Sequence, residues 1–322
     1  MLENFTLPQL PPTEVLTACA FASLAASLLL AAALSPILAA TSEIISIKAK
    51  RGFYARAACQ TAQMSLFLSI SATILVGTGG ALLIRTEPAF LAPPYFFPLI
   101  LTGSAIALTL ILLIVYVCLW PTKGLPGAGH MTIGLAAASF ALLSLFCGTG
   151  LIRRLLHSPP NSDPALPPIE QLASFFTIPA DSFFWPLLAE SVPLGLALAA
   201  SFACVWLCIM RERQDYGRDY YTFALPYCAK WALVFTVLAV LTGSFVFLQS
   251  QKIMLPELSH EPSLLLDIAS VILPLLGCLL WLLVVISKHP MRHKISVFLA
   301  WLFLLAGFAG QMLMLNKVIP SP

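Results

Sequence analysis

Among the polar side chains inside otherwise apolar stretches of this sequence, Glu190, Ser191, Lys230 and Asp267 are the candidates for chemistry. An ionisable group at membrane depth is costly to hold, so each is a candidate for a proton path or for hydrogen bonding to a quinone. Glu190 lies in W-P-L-L-A-E-S-V-P, with Ser191 and Pro193 beside it. It sits about one and a half turns into its stretch, roughly 8 Å from the end at 1.5 Å per residue. A carboxyl there can pass protons from the outer face or bind a quinone hydroxyl. It can equally reach back to the interface or be held neutral by a hydrogen bond. Asp267 is shallower. Lys230, in P-Y-C-A-K-W-A-L with Trp231 next to it, reads as a lysine reaching towards the headgroups. Gln60 and Gln63 lie at a comparable depth and suit hydrogen bonds between helices.

Other chemistries lack their residues. The five histidines are His130, His157, His260, His289 and His293; four fall in loops and His130 at the mouth of a span. A membrane b-type haem takes an axial histidine at depth, so this chain is expected to hold no haem of its own and no metal in the membrane. The eight cysteines lie within or at the ends of apolar stretches and form no C-x-x-C, which removes zinc-ribbon and iron–sulfur motifs. Neither H-E-x-x-H, G-x-S-x-G nor a P-loop occurs. No catalytic residues are assigned.

The elements that carry these side chains follow from composition. Of 322 residues, 59% are hydrophobic and 10% charged, against about 25% charged in a soluble domain. A stretch of about 20 apolar residues crosses the bilayer as a helix. Eight such stretches occur, at about 15–41, 58–84, 96–120, 129–152, 185–210, 222–249, 264–287 and 295–315. None shows the polar–apolar alternation of a membrane barrel. The fold class is therefore all-α, a polytopic membrane protein. The first residues, M-L-E-N-F-T-L-P-Q-L-P-P-T, lack a basic segment, so the first span is expected to remain uncleaved.

Charge orients the spans. Loops after spans 1, 3, 5 and 7 hold Lys48, Lys50, Arg51, Arg56, Lys123, Arg211, Arg213, Arg218, Lys288, Arg292 and Lys294, and the opposite loops hold Arg85, Arg153, Arg154, Lys252 and Lys317. By the positive-inside rule the first set is cytoplasmic and both termini face outward, which fits the cytoplasmic (inner) membrane. The net charge of +3 follows the membrane and does not point to nucleic acid.

Small residues recur in the outward half of each even-numbered span: G-T-G-G-A-L-L-I-R from Gly77, G-T-G-L-I-R from Gly148, L-T-G-S-F from Leu241 and A-G-F-A-G from Ala306. This reads as four helical hairpins in two similar halves, 1–157 and 185–322. Close packing of helices would also place small residues there. Residues 158–184 form a Pro-rich outer linker, in which 169–178 is a candidate surface helix with Phe175 and Phe176 dipped into the interface and Trp185 anchoring the next span.

The first hairpin resembles the start of subunit I of the cytochrome bd quinol oxidases. A span ends in a glutamate, a short loop follows and a tyrosine opens the next helix; here these are Glu43 and Tyr54 in S-E-I-I-S-I-K-A-K-R-G-F-Y, followed by Thr78 and Gly79 deep in the second span. The resemblance covers about seventy residues. The histidine with which that family's first helix ligates haem is missing, as is its long quinol-binding loop, unless the segment 157–186 is its remnant. The resemblance thus implies a haem-free relative.

These readings converge on the membrane subunit of a respiratory, quinone-linked electron-transfer complex, with redox partner subunits docked at the outer face and quinone as the one cofactor within reach. A small-solute or ion transporter lined by Glu190 and Lys230, or a structural or assembly subunit, are the alternatives. A transporter needs polar residues converging near the midplane, where this sequence is almost purely apolar.

Overall fold

A computed structural model describes residues 13–86, 93–120, 127–157, 170, 173, 175–214, 216–254 and 264–316. Eight helices in it are long and apolar enough to cross a membrane, so the chain is a multi-pass membrane protein. They are α1 (Thr13–Ala49), α2 (Gly52–Thr86), α3 (Pro93–Cys118), α4 (Ala128–His157), α5 (Phe184–Met210), α6 (Arg218–Met254), α7 (Leu264–Ile286) and α8 (Lys294–Asn316), with a short 3₁₀ turn, Pro290–His293, leading into α8.

Short basic connections force consecutive helices to turn back on each other. Lys50 and Arg51 alone separate α1 from α2, and Lys50 takes a left-handed backbone conformation, φ 50°, to make the reversal. The pairs α1–α2, α3–α4, α5–α6 and α7–α8 pack as the four expected hairpins.

The hairpins assemble around α1 and α5. Helix α1 touches α2, α4, α5 and α8, and α5 touches α1, α2, α4, α6 and α8. The apolar window of α5 is 78% buried, whereas those of α2 and α3 are 22% buried. Lipid tails are as apolar as leucine, so close backbone approach rather than hydrophobic sorting must hold such a centre together. The residues are suited to that: Ala31, Ala197, Ala200, Ala203, Ala224, Ala229 and Ala232 are all buried in one cluster. At Gly195 a Cβ would lie 3.0 Å from Leu34 and 3.1 Å from the Leu30 carbonyl, which fixes the α1–α5 crossing. The outer faces expose Phe21, Ile74, Leu241 and Ile295 to the bilayer.

The recurring small residues of the even spans do not share one task. At Gly77, Gly79, Gly80 and Gly148 a Cβ would have nothing within 4 Å, while Gly150 abuts Phe175, Gly243 abuts Glu190 and Gln311, and Gly307 abuts Pro274. In the linker, Phe175 is buried against α4 at Gly150 instead of entering the interface. Phe176 is exposed and lies parallel to Phe146 at 6.4 Å.

Candidate functional site

Polar groups gather at both ends of the bundle. At the end opposite the basic loops, Glu190 leaves α5 in its second turn, six residues after Phe184. Its carboxyl receives a hydrogen bond from the side-chain amide of Gln311 on α8. Both groups lie over Gly243 of α6, where a Cβ would come within 2.7 Å of Glu190 Oε1 and 2.8 Å of Gln311 Nε2. Only glycine leaves room for the pair.

A narrow cleft between α5, α6, α7 and α8 surrounds them, with Thr236 and Ser270 as further polar lining and Leu194, Pro274, Leu304 and Phe308 as apolar walls. Thr236 is 1% exposed, and its hydroxyl has no hydrogen-bond partner. A buried hydroxyl without a partner costs on the order of 1–3 kcal/mol, so this atom is set for a small polar guest. The cleft has room for a water molecule rather than a ring. A carboxyl reached through water handles protons; a quinone ring would need the helices to part.

Of the other sequence candidates, Ser191 and Lys230 do not line it. Ser191 donates to the Leu187 carbonyl of its own helix at 2.7 Å, which leaves it a minor part of any path. Lys230 is exposed on α6. Asp267 falls in the first turn of α7, and its side chain lies outside the described residues.

At the basic end the structure builds a second cluster. Glu43, on α1 about 9 Å before the helix ends, is fully buried. Its Oε2 accepts from the Tyr116 hydroxyl of α3 at 2.5 Å, and its Oε1 lies 2.7 Å from Nδ1 of His130 on α4. His130 Nε2 is 2.9 Å from the Tyr116 carbonyl oxygen. The imidazole is sandwiched between the Tyr116 ring at 4.5 Å and the edge-on Trp120 ring at 4.7 Å. Gly134, one turn along α4, makes the space for Tyr116: a Cβ there would meet the ring at 2.8 Å.

Neighbouring α2 and α6 carry a further polar network. Gln60 is 1% exposed; it accepts from the Tyr220 hydroxyl at 2.7 Å and donates to Gln214 at 3.1 Å. The Tyr221 hydroxyl donates to the Gln214 carbonyl at 2.5 Å. Tyr54 packs edge-on against Phe223 and Tyr227, whose hydroxyl is 3.1 Å from Ser42 Oγ. Gln60 therefore acts as the interhelical clamp its depth implied. Glu43 and Tyr54 share a hairpin but serve different neighbours, α3 and α4 for one and α6 for the other.

Tyr116 and His130 were not singled out as partners of Glu43 from the sequence. The available signal was local: only a short Gly- and Pro-rich segment, P-T-K-G-L-P-G-A-G-H, follows Trp120, and Tyr116, Trp120 and His130 meet at one hairpin end. Nothing in that segment reveals that α1 delivers a carboxylate to the same level.

Among the described residues the arrangement defines a membrane protein of eight long apolar helices, with the fully buried Glu43 towards one end of its central helix pair and the partly buried Glu190 towards the other. The likeness that goes with it is one of fold. The chain superposes on a chain of the bd oxidase from Geobacillus thermodenitrificans with a TM-score of 0.69 at 12% identity, covering 96% of this chain and 87% of that one. The shared architecture thus extends from the first hairpin to nearly the whole chain. By sequence, no family model and no curated protein matches.

Proposed function

We infer that this chain is a membrane subunit of a respiratory, quinone-linked electron-transfer complex, carrying no haem of its own and working with redox-active partner subunits at the outer face. The fold it shares with a bd oxidase chain supports the complex. One observation carries the site: the Glu190–Gln311 pair over Gly243, opening on the unpartnered Thr236 hydroxyl inside a water-sized cleft. In this reading Glu190 takes the proton that a quinol releases on oxidation and passes it by water to the outer surface. The quinol itself binds against a partner subunit.

His130 has both ring nitrogens engaged, by Glu43 and by the Tyr116 carbonyl, which supports the haem-free reading. The basic loops face the cytoplasm and both termini the outside, by the positive-inside rule, with the cytoplasmic (inner) membrane as the location.

Mild-detergent purification of the tagged chain from its native membrane tests this. Haem bands in the dithionite-reduced minus oxidised spectrum, from co-purifying subunits, together with bound quinone, are the expected result. A lone, colourless protein overturns it in favour of transport or scaffolding.

A further inference from the structure

We propose that Glu43, Tyr116 and His130 form a proton-binding site at the basic end of the bundle, holding one proton between Glu43 and His130 and able to take up a second. It is a site separate from the Glu190 cleft; only its use in turnover rests on the reading above.

The tautomer of His130 is set by geometry. A carbonyl oxygen only accepts, so Nε2, 2.9 Å from the Tyr116 carbonyl, must carry a hydrogen. Nδ1 then has two choices over its 2.7 Å contact with Glu43: it donates as an imidazolium to a carboxylate, or it accepts from a carboxylic acid. Both forms hold one proton on the same line and leave the buried site neutral. Neutrality matters because Glu43 is fully buried, and an isolated buried charge is heavily penalised.

A second proton can be accommodated because the third member is a hydroxyl. With His130 as imidazolium donating to Oε1, a hydronium ion delivers its proton to Oε2 and leaves as water. Tyr116 then turns from donor to acceptor across the same 2.5 Å contact. Both bonds of the imidazole survive, and the hydrogen of the Tyr116 hydroxyl alone must find another acceptor. The site gains one positive charge, which a negative charge appearing nearby, such as an electron on a partner's cofactor, would stabilise. Among the described residues, the ionisable groups around it are Tyr116 from α3, His130 from α4 and, beyond Tyr116, Cys59 from α2. Entry is from the basic face, where the His130 side chain retains 8% exposure while Glu43 has none.

The full chain in lipid nanodiscs, without partners, is sufficient for the test. A pH titration would be followed by the infrared carboxyl band and by the imidazole nitrogens in ¹⁵N-histidine spectra. In the one-proton state either the Glu43 carboxyl band or the His130 imidazolium signal is present; in the two-proton state both are present together. We expect passage from the first pattern to the second as pH falls, with uptake of one proton per chain that is lost in Glu43→Gln. Tyr116→Phe, which keeps the ring packing, should retain the one-proton pattern and shift or abolish the second step. A single pattern throughout the range in which the protein stays folded would make the cluster a fixed clamp and overturn the proposal. Since no quinone or partner takes part, failure here leaves the respiratory reading standing, and a lone chain on purification leaves this result standing.

Discussion

Glu43 Oε1 and His130 Nδ1 lie 2.7 Å apart although 87 positions separate them in the chain. That contact, with the Tyr116 hydroxyl on the other carboxylate oxygen, ties three helices together where α1 meets the α3–α4 hairpin. Hydrogen bonds to charged groups are roughly twice as strong as neutral ones, and removing one partner of a buried pair leaves the other stranded.

Glu43→Ala should therefore destabilise the protein by about 3–5 kcal/mol, the usual cost of breaking a buried charged pair. His130→Ala should cost a comparable amount, and the double variant much less than the sum. A double-mutant cycle measured by thermal unfolding in detergent checks this; additive losses would show that the two side chains do not couple.

Gly134→Ala and Gly79→Ala should behave oppositely. At Gly134 the new methyl meets the Tyr116 ring at 2.8 Å. That ring is pinned by its bonds, so overpacking should cost about 1–3 kcal/mol. At Gly79 nothing lies within 4 Å, and alanine should stabilise α2 by up to about 1 kcal/mol through helix propensity alone. The unfolding midpoints of the two variants decide it.

Gly243→Ala should act on function more than on stability. The added carbon would crowd the tips of two flexible side chains, Glu190 at 2.7 Å and Gln311 at 2.8 Å, which can swing away. Quinol-linked turnover of the assembled complex should fall nearly as far as in Glu190→Gln, with subunit recovery unchanged. Normal turnover in both variants would remove Glu190 from the mechanism.

Tyr220→Phe should cost about 1–3 kcal/mol, because it strands the buried Gln60 oxygen that the hydroxyl now satisfies at 2.7 Å. Adding Gln60→Leu to that variant should recover part of the loss, since an apolar pair leaves no acceptor unpaired. Equal melting of the single and double variants would contradict the clamp.

Hydropathy and charge are local properties. For that reason the sequence alone determined the eight spans, their pairing across short basic turns and the all-helical class. The depth of Gln60 likewise marked it as a bridge between helices. Glu190 was legible as an acid inside an apolar span, but its surroundings were not. Which helix would bring Gln311, and that Gly243 rather than Gly79 would make the room, depends on how helices rotate and cross. A stripe of small residues permits close approach without naming the neighbour. The largest gap was Glu43, which the sequence marked only through a resemblance of the first hairpin. Its burial and its bonds to Tyr116 and His130 were decided by the packing of α1 against α4, a contact between elements far apart in the chain. Specific polar pairing inside a membrane is set in three dimensions, because there a polar group is held by whichever partner the fold delivers.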